Sequence, residues 1–295
     1  MKLALGTVQF GLRYGVANTT GQPRESDVAE ILRRAAGAGV EILDTASLYG
    51  DSEAVLGRCI PDRHNFRIIT KTPKFPGETG FALADSLNAS FDRSCERLRK
   101  ASVYGLLAHD ANDLLGPSGD MVWKTMEKLR HDKRVARIGV SVYNGAQVDA
   151  LLDRYPLELV QLPLSLVDQR MIKDGHLDRL STRGIEVHVR SAFLQGALLM
   201  PPDALPQHLT RLRPRLHEIA AHASRLGITP LEAALRFVAG LPQISAVVCG
   251  VDSAEHLDQL IAALTPGAAT LSAADASGCA CDDIRLLDPS QWRTA

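Results

Sequence analysis

Short apolar runs alternate with longer stretches whose apolar positions recur at helical spacing. Eight runs read as strands: Leu3–Leu5, Glu41–Leu43, Arg67–Thr70, Val103–Ala108, Arg137–Ser141, Leu159–Leu162, Glu186–Val189 and Ser245–Cys249. Their near-continuous apolar character suits strands covered on both faces. Between them, Val28, Ile31, Leu32 and Ala35 share one helical face, with Ser26 placed to cap it. Leu83, Leu87, Phe91 and Leu98 form a second such face, and Leu257, Leu260, Ile261 and Leu264 the last. In Thr229-Pro230-Leu231-Glu232, Thr229 caps, Pro230 takes the first helical position and Glu232 reaches back as a capping box. Gly227 ends a preceding helix that carries Leu216, Ile219, Ala223 and Leu226. An extra helix pair is therefore expected between the seventh and eighth strands.

Eight strand–helix units in order, with no linker or composition break, predict an α/β fold: a closed (β/α)8 TIM barrel. The barrel is expected to form one domain over residues 1–295, with 265–295 as a C-terminal tail. A doubly wound open sheet is the rival, and it usually carries Gly-x-Gly-x-x-Gly after its first strand. Here Gly6-Thr7-Val8-Gln9-Phe10-Gly11 stands there and does not match. The Pro201–Pro206 segment and the tail from Thr265 read as loops at the barrel ends.

Charge narrows the partners. Lys plus Arg (33) nearly balances Asp plus Glu (34), so nothing calls for nucleic acid or an anionic membrane. Arg211, Arg213 and Arg215 make a short basic cluster, read as a solvated loop and helix start. Five scattered cysteines fit a reducing compartment. No signal-like segment precedes the first strand and no apolar run reaches membrane-spanning length, so a cytoplasmic location is expected.

Chemistry gathers where the strands end. Asp44, Lys71 and His109 follow the second, third and fourth runs, and Tyr49 lies five residues beyond Asp44. In a barrel, chemistry sits at the C-terminal ends of the strands, so these four side chains should meet. A free tyrosine has a pKa of about 10, and a nearby ammonium lowers it. Lys71 can supply that ammonium, held and kept charged by Asp44. A neutral His109 can donate a hydrogen bond to a carbonyl oxygen, leaving Tyr49 to protonate the alkoxide as it forms. None of the four can supply hydride, which requires a nicotinamide cofactor. Taken singly, such residues are more often a cap, a solvated amine, a structural ring or a buried imidazole. Their joint placement at one barrel end favours a site.

Leu43-Asp44-Thr45-Ala46 with Tyr49-Gly50, Ile69-Thr70-Lys71 and Leu106-Leu107-Ala108-His109 resemble the catalytic segments of the aldo-keto reductase superfamily. The likeness covers nearly the whole chain. It implies a (β/α)8 barrel, carbonyl reduction of a small-molecule substrate and NADPH as the default cofactor, with NADH as the alternative. Tyr49 would be the acid, Lys71 and Asp44 its tuning pair, and His109 the substrate orienter. A monomer or weak oligomer is the corresponding expectation.

The same resemblance supplies a cofactor set. Gly6 and Thr7 close the first strand. Gly139-Val140-Ser141-Val142-Tyr143 is similar to the family's Gly-Val-Ser-Asn-Phe, with Ser141 and Gln161 for the carboxamide and Val142 in place of the amide residue. Arg190, followed by Ser191, stands where a tyrosine usually stacks on nicotinamide. Its guanidinium could stack instead, or form a salt bridge at the mouth. Phe193, Leu194 and Gly196 would follow the pyrophosphate, and Gly250 with Ser253 at a helix N-terminus would suit phosphate. Asp252 stands where many members carry Arg or Lys for the 2′-phosphate, and Leu260 where many carry Asn near adenine. An acidic Asp252 repels such a phosphate and suits a ribose hydroxyl. Phe10, Tyr14, Leu48 and Phe75, with the tail, are expected to wall the substrate.

Cys279-Ala280-Cys281 lacks a histidine at zinc-site spacing, so no metal is expected, and Trp292 is placed to pack the tail. A second reading, from Val142, Arg190 and Asp252, is a cofactor-binding regulatory or scaffold protein with little turnover. A barrel hydrolase ranks last, because the first strand carries no His-x-His and the fourth and seventh strand ends no paired Glu.

Overall fold

Apolar side chains on both faces of each run need two layers to bury them, and the fold provides both. β1 (Leu3–Gly6) pairs in parallel with β2 (Ile42–Asp44) on one side and with β8 (Ala246–Gly250) on the other. β3 (Arg67–Lys71), β4 (Val103–Ala108), β5 (Val135–Ser141), β6 (Leu159–Pro163) and β7 (Glu186–Arg190) complete the ring in chain order. The β1–β8 pairing closes the barrel and rules out the open sheet. The computed structural model describes residues 1–61, 64–75, 79–265 and 267–292.

Side chains alternate along each strand, so every second residue faces the barrel axis. Ala4, Ile42, Ile69, Leu107, Leu159 and Ala246 fill the interior. Leu5, Leu43, Ile68, Leu106, Val160 and Val187 pack outward, against the helices. The interior also holds a polar group: fully buried His188 sits with Nε2 2.7 Å from Glu186 Oε1, and Tyr104 donates its hydroxyl to Glu186 Oε2 at 2.7 Å.

The helices follow the sequence pattern, with three corrections. Helix Glu25–Gly37 buries Val28, Ile31, Leu32 and Ala35, but Arg24 takes its cap position, so Ser26 lies inside the first turn. Helices Arg213–Arg225 and Pro230–Gly240 form the expected pair, and Thr229 and Glu232 make the capping box. Leu226, past the end of the first of these, is exposed rather than part of its apolar face. The tail is less irregular than expected. Short helices Ala273–Gly278 and Ile284–Leu287 present Ala276, Leu286 and Leu287 to a second apolar cluster, with Trp292 packed against it. Residues 266 and 293–295 of that tail lie outside the described residues. Among the described residues, no helix is long and apolar enough to cross a membrane.

Candidate active site

Three polar residues that the apolar pattern left just beyond its runs are the last residues of strands: Asp44 of β2, Lys71 of β3 and Arg190 of β7. Ladder pairing therefore aims their side chains. Asp44 stands opposite Gly6 and Ile69, and Lys71 opposite Leu107. Pairing continues past the ends, with Thr45 N donating to Ile69 O at 2.8 Å and Thr72 N to Leu107 O at 2.9 Å. His109 N then donates to Thr72 Oγ1 at 3.1 Å, which fixes the imidazole just beyond β4.

Lys71 and Asp44 form a buried ion pair, Nζ to Oδ2 2.7 Å, with side-chain exposures of 1% and 4%. Two charges taken out of water are costly unless their remaining valences are filled. They are filled here. Lys71 also donates to Thr45 O at 2.8 Å, and Gln161 Nε2 donates to Asp44 Oδ1 at 2.8 Å.

Tyr49 reaches the pair from the loop after β2. Lys71 Nζ lies 5.0 Å from its ring centroid, and the His109 ring stands edge-on to it at 5.8 Å. Two glycines hold that loop. A Cβ on Gly11 would fall 1.9 Å from Tyr49 O, and one on Gly50, whose φ is +52°, would fall 2.4 Å from Gly11 O. Ser52 ties the base of the loop, donating to Thr7 O at 2.7 Å and lying 3.1 Å from Thr45 Oγ1.

Burial and charge set the protonation states. Desolvation, reinforced by the Lys71 charge, pulls His109 down to about 4, so its imidazole is neutral near neutral pH. Burial opposes the charge on Lys71 most strongly, yet Asp44 and Tyr49 together outweigh it and hold the ammonium above its usual range. Tyr49 corrects the expectation of a lowered phenol. Burial raises it, and the opposing pull of Lys71 does not prevail, since Asp44 pushes the same way as burial. A protonated phenol, a neutral imidazole and a buried ammonium can together meet a carbonyl oxygen and hand it a proton.

These groups open into a cavity of about 820 Å³, a size that suits a large ligand. Its wall includes Asp44, Tyr49, Lys71 and His109, and also Gly6, Thr7, Tyr14, Ser141, Gln161, Arg190, Ser191, Phe193, Gly196, Gly250 and Asp252. Five expected residues are elsewhere. Phe10 is fully buried in the core, because the turn Val8–Phe10 directs it inward. Leu48 is exposed on the loop surface, and Phe75 packs against the barrel's outer shell. Leu194 is buried in the second apolar cluster. Ser253 spends its hydroxyl capping helix Ala254–Ala263, accepting from His256 N at 3.2 Å.

The wall holds residues that the sequence reading passed over. Gln9 carries a buried Oε1 without a hydrogen-bond partner among the described residues, and its side chain occupies the space a Cβ on Gly250 would need. Asn18 donates to Asp252 Oδ1 at 3.3 Å, while Gln195 Nε2 donates to the Tyr14 hydroxyl at 3.1 Å. The segment after β1 thus bridges the loops after β7 and β8. Arg190 lies 4.2 Å over the Tyr143 ring and donates to Val142 O at 3.0 Å. It has no carboxylate partner among the described residues, so the salt-bridge alternative does not hold. Tyr143 was visible in the sequence as an aromatic just past the fifth strand. Asn18 was not, because 234 positions separate it from Asp252.

L-galactose dehydrogenase of Arabidopsis thaliana is 26% identical to this chain over 280 residues, 89% of this chain and 85% of that protein. An aldo-keto reductase of Mycobacterium sp. (strain KMS) is 30% identical over 201 residues, covering 66% and 67%. In fold, the chain is similar to a glycerol dehydrogenase from Gluconobacter oxydans, with TM-score 0.72, 18% identity and coverage of 100% and 94%. The holo form of an aldo-keto reductase from Bacillus halodurans gives 0.70 at 19% identity, covering 94% and 90%. At such identities those two structures speak to the barrel alone. The sequence profile of the Aldo/keto reductase family matches residues 2–277, and the chain that folds into this barrel belongs to that family.

Proposed function

We propose that the protein is an NAD(P)H-dependent oxidoreductase that reduces an aldehyde or ketone, sugar-like in character, to the alcohol. The observation that carries this reading is the buried Lys71–Asp44 pair with Tyr49 and His109 around it at one end of the cavity. L-galactose dehydrogenase among the relatives supports a sugar-like substrate.

The cavity fits a dinucleotide in size and in the polar groups that stand among the apolar ones of its wall. When bound, the reduced nicotinamide supplies the hydride. The chain's own residues manage the proton. His109, neutral, donates to the carbonyl oxygen and orients it. Tyr49, protonated because burial raises its pKa, releases its proton to that oxygen as negative charge develops. Lys71 then steadies the phenolate left behind, and Asp44 with Gln161 holds Lys71 in place. A protonated phenol is the form that the reduction half of this chemistry needs. Gln161 gives one Nε2 hydrogen to Asp44 and keeps its carbonyl oxygen and a second N–H for the carboxamide, beside Ser141.

NADPH is the family's default, and the far end of the cavity argues for NADH. Among the described residues, Lys71 and Arg190 are the only Lys or Arg side chains on the wall, and both belong to strand ends. The far end offers Asp252, Asn18, His256, Gln259 and Leu260. Burial raises the Asp252 carboxyl, with His256 opposing. A 2′-phosphate finds little welcome there, whereas a ribose hydroxyl can donate to Asp252.

The deciding experiment is a panel of aldehydes, ketones and sugars run separately with NADH and NADPH, following the loss of the reduced nicotinamide. Turnover of carbonyl compounds with a cofactor preference is expected. Tight dinucleotide binding with no turnover across the panel would favour the regulatory or scaffold reading.

A further inference from the structure

Arg190 is left over after the proton chemistry is accounted for. It lines the cavity at the end of β7, half-buried, and lacks a carboxylate partner among the described residues, whereas Lys71 is neutralised by Asp44. A guanidinium has five N–H donors in a planar fork. Val142 O takes one at 3.0 Å and Ser191 Oγ lies 3.5 Å from another, so most of the fork is unfilled. Stacking on Tyr143, 4.2 Å from the ring centroid, holds the plane still. The Arg190 charge also acts on Tyr49 and His109, the two groups that would meet the reacting carbonyl. A half-buried, immobilised cation without a carboxylate partner among the described residues, in the same cavity as Tyr49 and His109, calls for an anion.

We propose that Arg190 is a specificity residue that binds the carboxylate of an acidic carbonyl substrate, a sugar acid or short oxo acid, and so selects it over its uncharged counterpart. This rests on the reductase reading. The planar fork matches a carboxylate and a phosphate alike, so the charge available on the wall decides between them. A dianionic phosphate calls for a second free cation, and the wall has none among the described lysines and arginines. The guanidinium leans toward the end of β5, where Val142 and Tyr143 lie, and so away from Gly250 and Asp252 after β8. That separates it from the expected adenosine end of the dinucleotide and leaves the nicotinamide end as the rival occupant. Holding the substrate at its carboxylate while His109 and Tyr49 meet its carbonyl fixes both ends of the molecule.

The test compares kcat/KM for D-glucuronate with D-glucose, and for succinic semialdehyde with butanal. The acid of each pair is expected to win by about tenfold or more, the usual worth of a charge-assisted hydrogen bond. Arg190→Gln should shrink that ratio by about 10- to 100-fold, chiefly through KM for the acid, and Arg190→Lys should restore part of it. Added salt should narrow the wild-type ratio. Equal constants for acid and neutral partners in the wild type, or an unchanged ratio in Arg190→Gln, would overturn the proposal. Preference for D-glucose 6-phosphate over D-glucuronate would overturn the carboxylate assignment. Weaker NADH binding by Arg190→Gln in a fluorescence titration, with the ratio unmoved, would give the guanidinium to the dinucleotide. Calorimetry of D-gluconate against D-glucitol needs no turnover. If no carbonyl compound is reduced, the reductase reading fails, while tighter binding of gluconate still supports the role of Arg190 and equal binding removes it.

Discussion

At the β2–β4 end of the cavity, both oxygens of the Asp44 carboxylate are engaged, one by Lys71 and one by Gln161. At the β8 end, the Asp252 carboxylate receives only the Asn18 amide, at 3.3 Å, among the described residues. The backbones differ in the same sense. Asp44 and Lys71 stand on strand ends, and Tyr49 on a loop clamped by glycines. The loop after β7 instead holds Ser191, Leu194 and Gln195 at positive φ, three of the five non-glycine residues so placed among the described residues. Such conformations cost about 1–3 kcal/mol each and persist only where the surroundings enforce them. A group that delivers a proton must be held within a fraction of an ångström.

The contrast can be broken by substitution. Tyr49→Phe should have the largest effect, lowering kcat by about 10²- to 10⁴-fold while leaving the dissociation constant for NADH or NADPH near the wild-type value. Full activity in that variant, measured in steady state, would remove the proton from Tyr49. Lys71→Met should lower kcat by at least about 10²-fold and also destabilise the fold by roughly 3–5 kcal/mol, since it strands Asp44 as a buried unpaired charge. Thermal and denaturant unfolding would report the second effect, and a variant as stable as the wild type would contradict it.

At the looser end the expected changes are smaller. Asp252→Arg should shift the ratio of dissociation constants toward NADPH by about tenfold, roughly 1.4 kcal/mol, with kcat little altered. A ratio that stays put would mean that Asp252 does not face the 2′ position. The smallest effect is the absence of an acid limb. The neutral imidazole of His109 is the form above its pKa, which lies near 4. The reduction rate should therefore hold level as pH falls from neutral to about 5 before any loss from this group. A half-point near the usual histidine value of about 6.5 would show that His109 is not desolvated as described.

Much of the barrel could be read from the chain because burial on both faces leaves the strands almost purely apolar. The strand-end places of Asp44 and Lys71 were legible for a related reason: a polar residue ending such a run has only the barrel mouth to occupy. The cavity walls were harder. Phe10, Leu48 and Phe75 all sit in loops near the mouth, and hydrophobicity alone does not say whether a loop side chain turns into the core, the solvent or the cavity. Asn18 and Asp252 meet only because the segment after β1 crosses to the far side. Tyr49 illustrates another limit. Its distance from Lys71 could be foreseen, but the sign of its pKa shift depends on how deeply Asp44 and the cavity wall enclose it.

Gly11 and Gly50 carry no functional group, yet each stands where a single methyl would collide with the other's loop. Tolerance to mutation here should therefore run opposite to chemical interest. Leu48, one residue from the phenol and exposed, can be exchanged freely, whereas alanine at Gly11 would push the whole Tyr49 loop aside. For anyone redesigning this barrel to accept another substrate, the two residues to leave untouched first are the ones with nothing to offer a ligand.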